Sequence, residues 1–306
     1  MAPVTAVSWW PAPAKLNLLL HVLGRRADGY HELQTVFQLI ELNDRIGLAV
    51  RTDGRIERVS GLPDVAAERD LAVRAAVALQ QHTGVRLGAD VHVIKHIPAG
   101  GGLGGGSSDA ATVLLGLNSL WDTRLSLQQL ADLGLQLGAD VPLFVHGACA
   151  WGEGRGEQLR ALRLPPRWFL VLHPGIAVST AQIFQAPELT RNSAPVKMED
   201  FAGGVFAQEH TSNVWVNVCE PVVRTRYPEV AAALDWLDAQ IQAHAVGPGS
   251  RVTTARLTGT GACLFAGFEH EQDARQIAQR LPAGWSAFVA RGLERSPVHG
   301  MLGLPD

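Results

Sequence analysis

Apolar and polar positions in the first half of the chain follow two periods. Residues 14–22 are apolar, interrupted only by Lys15, Asn17 and His21, and read as a strand. A charged turn follows at 24–29 (GRRADG). Two further strand-like runs centre on 35–40 and 46–50. Residues 71–81 place Leu71, Ala75, Ala78 and Leu79 on one helical face, and 90–97 return to strand alternation.

Then comes PAGGGLGGGSSDAA at 98–111, where six of the seven residues 100–106 are glycine. Helical spacing resumes with Val113, Leu114, Leu117, Leu120 and Trp121, and Ser107, Ser108 and Asp109 are candidate N-caps. Another helix is predicted over 126–137, with a Ser126/Gln129 capping box and Gly138 at C′. Ala139-Asp140-Val141-Pro142 follows it. Pro165-Pro166 suggests a domain boundary, giving units 1–165 and 166–306. Beyond it, 168–173 and 263–266 read as strands and 229–242 and 271–281 as helices. Residues 186–212 and 243–255 read as loops, and LTGTGA (257–262) as a glycine turn.

Composition narrows the function classes. The 306 residues are 47% apolar, with 26 Lys and Arg against 29 Asp and Glu, a net charge of −3. That supports a folded chain of about two domains and argues against disorder or a general nucleic-acid binder. Three widely spaced cysteines argue against a disulfide framework and fit a reducing compartment. With neither a signal-peptide pattern nor an apolar run of about 18 residues, a soluble, cytoplasmic protein without membrane partners is expected. His92 and His96 on one strand would stand about 13 Å apart, too far to share a metal, so no protein-built metal site is expected.

The order strand, glycine loop, helix N-terminus has a physical use. Glycines permit positive φ and leave no side chain between backbone N–H groups and phosphate oxygens, and the helix adds free N–H groups and a positive dipole end. A net-acidic chain can hold a polyphosphate in this way; the alternative is a tight glycine hairpin. No Lys follows the glycines, so this is not the Walker pattern. A dinucleotide fingerprint would need a repeated βαβ unit that the preceding strand runs do not provide.

PAGGGLGGGSS resembles the ATP-binding motif of the GHMP kinases. The segments at 11–40, 98–118, 137–157, 170–184 and 257–268 resemble, in order, the branch that phosphorylates a cytidyl-diphosphate sugar alcohol in the mevalonate-independent isoprenoid-precursor route. The resemblance implies an α+β, two-domain fold. Its N-terminal part is similar to ribosomal protein S5 domain 2 and its C-terminal part is a ferredoxin-like α/β sandwich, with both small-molecule substrates in the cleft between. It implies ATP as co-substrate, Mg²⁺ with it, and transfer to a tertiary 2-hydroxyl.

The same resemblance distributes roles. Pro98, Ala99, Gly100, Gly101, Gly102, Leu103, Gly104, Gly105, Gly106, Ser107 and Ser108 would hold ATP. Asp140, in G-A-D-V-P, would accept or orient the hydroxyl proton; the alternative is a helix cap. Lys15, in P-A-K-L-N, would keep Asp140 ionised and offset developing charge; the alternative is a surface lysine. Asn17 shares the strand face of Lys15 and would bond substrate or structure. Tyr30 and His31, in G-Y-H, would meet the cytosine, with Phe184 on its other face and Thr180 nearby; core packing is the alternative for the aromatics. Lys95 and His96 could reach the nucleotide or be simply exposed. In one departure, Arg69-Asp70-Leu71 stands where the family commonly has D-N-L, and Asp cannot donate to adenine as Asn can. Two other readings remain: a kinase for homoserine or mevalonate, and a non-catalytic nucleotide binder. Oligomeric state is not legible.

Overall fold

Two long antiparallel strands form the frame. β1 (Ser8–Arg25) and β2 (His31–Arg51) pair along most of their length. The two runs expected between 30 and 50 are one strand, because a register irregularity at Pro13/Ala14 steps the pairing from Asn43 to Ile40. That step absorbs Glu41 and Leu42 without ending the strand. Pro11 and Pro13 are tolerated because β1 is paired with β2 on one side there and needs no second ladder. The computed structural model describes residues 5–61, 63, 65–198, 215–243 and 252–304. The loop readings for 199–212 and 244–251 lie outside the described residues.

β3 (Ile56–Ser60), a short 3₁₀ turn, α1 (Leu71–Thr83) and β4 (Gly88–Ile94) come next. Asp70 caps α1 by accepting from the Ala72 N–H at 3.0 Å, and Gly84 ends the helix at φ 68°. α2 (Gly105–Leu120), α3 (Leu127–Leu135), α4 (Val141–His146), β5 (Ala150–Glu153) and β6 (Gln158–Ala161) complete the first part. The capping box of Ser126 and Gln129 is present, whereas α3 ends at Gln136 in right-handed geometry, so Gly138 lies past the cap.

The second part holds β7 (Trp168–His173), α5 (Thr180–Gln185), α6 (Glu220–Arg226), α7 (Pro228–Ala243), β8 (Arg256–Leu257) and β9 (Leu264–Phe268). α8 (Glu271–Ala278), β10 (Ser286–Leu293) and α9 (Pro297–Met301) follow. The ten-stranded sheet runs β3-β4-β2-β10-β7-β9-β8, with β1 and β5 also paired to β2, and β6 to β5. Only β3 and β4 pair in parallel among the laddered strands described. β10, not anticipated from sequence, joins the halves: Gly292 and Leu293 pair with Ile40 and Leu39, while residues 286–291 pair with β7.

Two hydrophobic clusters follow from this order. The larger includes Leu16, Phe37, Ile40, Leu114 and Trp151. The second includes Val22, Leu172, Leu234 and Phe268. β1 contributes to both, so its polar residues are carried on a strand fixed on two sides.

Candidate active site

The glycine loop connects β4 to α2 and is stitched to its neighbours through backbone groups. Gly100, Gly102 and Gly104 have φ of 69°, 76° and 72°, values that glycine adopts without steric cost. The Lys15 N–H donates to the Leu103 carbonyl at 3.0 Å, tying the loop to β1. On the other side, the Ala262 and Cys263 N–H groups donate to the Gly100 and Gly101 carbonyls at 3.3 and 3.1 Å. A Cβ on Gly102 would stand 2.3 Å from the Thr258 carbonyl oxygen. The LTGTGA turn is therefore both the β8–β9 hairpin and a wall of the loop.

α2 begins at Gly105, at least three residues before the start that a cap at Ser107, Ser108 or Asp109 would give. Gly104 occupies the N-cap and no side chain caps the helix. The reason is steric: φ near 72° at Gly104 lets the helix start directly from the glycine run. Ser107 and Ser108 fall inside the first turn, with Ser108 and Leu103 buried. First-turn N–H groups without a side-chain acceptor are the donors an anion uses.

Lys15 is buried within β1, its side chain 5% exposed. Its Nζ donates to Asn17 Oδ1 at 2.6 Å and stands 3.5 Å from Asp140 Oδ2. Asn17 is fixed in turn, donating through Nδ2 to Thr35 Oγ1 at 2.8 Å, while its N–H donates to Thr258 Oγ1 at 3.0 Å. Thr35 passes its own proton to the Leu19 carbonyl at 2.6 Å. Asp140 occupies the N-cap position of α4 with φ −85° and ψ −11°, but its carboxylate makes no cap bond. Pro142, in the first turn, removes one N–H that a cap would serve. The carboxylate is left partly exposed and paired with Lys15.

These groups open into a cavity of about 770 Å³, within the usual range for a small-molecule site. Lys15, Asn17, Asp140, Gly102, Gly104 and Ser107 line it. Tyr30, His31 and Phe184 line it too, and so does Thr180. Thr180 Oγ1 lies 2.8 Å from Thr260 Oγ1, joining α5 to the LTGTGA turn. The aromatic arrangement differs from two rings facing across a gap. Phe184 stacks on His31, with centroids 5.2 Å apart and planes 26° apart. Tyr30 is 56% exposed, and the Arg155 guanidinium lies over its ring at 4.9 Å. The positive φ of Gly29 and the Asp28 carboxylate, which accepts from the Tyr30 N–H, turn Tyr30 outward.

Lys95 does not reach into the cavity. It pairs with the buried carboxylates of Asp44 and Asp109, the latter at 2.7 Å. Burial opposes its charge, but the two carboxylates outweigh that and raise its pKa. Burial, with the nearby Asp44 charge, raises the pKa of Asp109 against the pull of Lys95. Asp44 also accepts from the His96 and Ile97 N–H groups, so the cluster braces β4's exit into the glycine loop. His96 Nδ1 donates to the Asn43 carbonyl at 2.9 Å. Asp70 receives Arg58 at 3.2 Å besides capping α1.

Two residues at the site were not anticipated. Asn217 donates to the Leu257 and Gly259 carbonyls at 2.9 and 2.7 Å and holds the LTGTGA turn. Arg191 lines the cavity and bonds His31. Each acts on a partner distant in sequence, which no local pattern encodes. Among the described residues there is no cluster of three or more His, Cys, Asp or Glu able to hold a metal, and no helix long and apolar enough to cross a membrane.

The family model for the GHMP kinases N terminal domain matches residues 70–148, and that for the GHMP kinases C terminal matches 205–287. A 4-diphosphocytidyl-2-C-methyl-D-erythritol kinase of Halorhodospira halophila is 56% identical over 97% of this chain and 96% of its own length. One of Alkalilimnicola ehrlichii is 53% identical over the same shares. A crystal structure of 4-(cytidine 5'-diphospho)-2C-methyl-D-erythritol kinase superposes with TM-score 0.77 at 32% identity, covering 93% of this chain and 99% of that one. A homoserine kinase from Cytophaga hutchinsonii superposes at TM-score 0.66 with 15% identity over 95% of each chain, a likeness of fold alone.

Proposed function

The chain belongs to the GHMP kinases, within the family of 4-diphosphocytidyl-2-C-methyl-D-erythritol kinases, and we propose from that premise how its residues divide the reaction. It is a phosphotransferase of isoprenoid-precursor synthesis that uses ATP and the cytidyl-diphosphate sugar alcohol. The observation that carries the residue assignment is the approach of Lys15 to Asp140 beside the glycine loop.

The glycine loop and the open first turn of α2 hold the ATP phosphates through backbone N–H groups. Asp140 accepts the proton of the 2-hydroxyl as its oxygen attacks the γ-phosphorus, and the bond to the ADP oxygen breaks. Lys15, oriented by Asn17, stabilises the negative charge that spreads over the transferring group. The products are ADP and the 2-phosphate. His31, Phe184 and Tyr30 hold the cytosine in the same cavity, with Thr180 at its edge.

The Mg²⁺ that the reading implies with ATP would neutralise phosphate charge. The Ser107 hydroxyl on the cavity wall is an oxygen donor of the kind this ion takes, alongside phosphates and water. A division into units 1–165 and 166–306 is supported by the position of Pro165-Pro166 in the connection between β6 and β7. The test is ATP consumption with the cytidyl substrate, homoserine and mevalonate offered separately. Turnover with the cytidyl compound alone is expected; turnover with either other alcohol and none with it overturns the reading.

A further inference from the structure

Arg191 uses four hydrogen bonds to fasten the cavity wall around His31 and Phe184 together. Its Nε donates to His31 Nε2 at 3.2 Å. One terminal nitrogen donates to the Phe184 and Ala186 carbonyls at 2.8 and 2.7 Å, and the other to the Leu189 carbonyl at 3.1 Å. Phe184 and Ala186 stand at the C-terminal end of α5, where helix carbonyls lack intrahelical partners and a cation is favoured. One planar guanidinium thus grips the backbone of Phe184 and the ring that stacks on Phe184.

We propose that Arg191 is a positioning residue for pyrimidine recognition: it locks His31 as the neutral Nδ1–H tautomer and holds it stacked on Phe184. This rests on the reading of His31 and Phe184 as the cytosine site. The chemistry follows from the donor. Guanidinium donates and cannot accept, so His31 Nε2 must offer a lone pair, and in a neutral imidazole the proton then resides on Nδ1. A protonated ring would lose this bond and face a cation.

The charged groups around His31 act in the same sense. Burial lowers its pKa first, then Arg191, then Arg25. Arg26 is engaged by Asp28 and Glu32, and Arg155 lies over Tyr30. Lysine could not replace the fork, since one ammonium cannot reach the ring and three carbonyls in this planar arrangement.

The test compares Arg191→Gln, Arg191→Lys and Phe184→Ala with the parent enzyme. In Arg191→Gln, KM for the cytidyl substrate should rise about tenfold or more, the usual consequence of losing a charged hydrogen bond. KM for ATP and kcat should stay within about twofold, and Arg191→Lys should recover only part of the loss. In the parent, KM for the cytidyl substrate should climb as pH falls and His31 gains its proton. In Arg191→Gln the climb should begin at higher pH, because a neighbouring positive charge has gone. Nitrogen NMR of labelled histidine should show the parent His31 protonated on Nδ1 and bare on Nε2. A raised KM in Phe184→Ala with a normal one in Arg191→Gln overturns this proposal and leaves the base site standing. Normal values in both variants overturn the base site and this proposal together. If Arg191→Gln does not fold, the parent spectrum decides: a proton on Nε2 near neutral pH overturns the assignment.

Discussion

Asp140 stands where a helix cap belongs, yet its carboxylate faces Lys15, 3.5 Å away. A cap would bond first-turn N–H groups, and the Asp140 carboxylate bonds none of them. Burial of Lys15 makes the pairing consequential. A lysine 5% exposed needs compensation, and Asn17 and Asp140 provide it while leaving the carboxylate open to the cavity.

Asp140→Asn keeps the shape and removes the proton acceptor. Its kcat should fall about 10²–10⁴-fold with little change in either KM. Lys15→Met should fall comparably, and the double variant should lose less than the product of the two. Steady-state kinetics on proteins melting near the parent temperature decide this. A folded Asp140→Asn enzyme with near-parental kcat removes Asp140 from the chemistry.

Gly104→Ala should disturb the glycine loop and Lys15 at once, and with them the roles proposed for both. At φ 72° an added Cβ would lie 2.9 Å from Phe144 Cζ and 3.2 Å from Lys15 Cε. The expected result is weaker ATP binding together with reduced kcat. Calorimetric titration with a non-hydrolysable ATP analogue, beside turnover measurements, separates the two. Unchanged affinity in the folded variant would take this glycine out of the phosphate site.

Tyr30→Ala and Phe184→Ala should raise KM for the cytidyl substrate and spare that for ATP. Base–aromatic stacking is worth about 1–3 kcal/mol, so a rise of about 5- to 150-fold is expected. Phe184→Ala should be the more severe because Phe184 is already stacked, whereas Tyr30 is exposed beside Arg155. Normal kinetics with a lowered melting temperature would assign both rings to packing.

Lys95→Met should destabilise the fold by about 3–5 kcal/mol, since it strips the cation from two buried carboxylates. The loss should depend on pH. Without Lys95, Asp109, whose pKa burial already raises, holds its proton in the folded state at pH values where the unfolded chain has released it. The folded state then binds the extra proton, so stability falls as pH rises out of the usual carboxylate range. Melting curves at pH 5 and pH 8 should show the larger deficit at pH 8. An equal deficit at both would remove the carboxylates from the account.

What the sequence made legible was local. The strand, glycine run and helix around residues 90–120 were readable because period and glycine chemistry act between near neighbours. Lys15 stood out as a charge inside an apolar run. Asp140 was ambiguous, because capping and catalysis use the same carboxylate; the absent cap bond, with ψ at −11°, is not visible in the sequence. β10 was missed because its partners, β2 and β7, lie far away in the chain. Asn217 and the bond of Arg191 to His31 were missed for the same reason, their partners being far away in the chain, while the other bonds of Arg191 go to nearby carbonyls that carry no residue pattern. The stacking of His31 on Phe184 depends on how β2 meets α5, which no window of sequence contains.

The seam made by β10 sets an order of events during synthesis. A ribosome delivers Lys15, the glycine loop and Asp140 early, and Thr180 and Phe184 after them. The strand that clips β2 to β7 comes only at residues 286–293. Until then the two walls of the cavity are joined by the hydrogen bonds of Arg191, Thr258, Ala262 and Cys263, without the strand that pairs with both β2 and β7. A nascent polypeptide can therefore own every reactive group and still lack the rigid spacing that brings nucleotide and alcohol into line. Competence arrives late in translation, as an architectural event separate from the appearance of the chemistry.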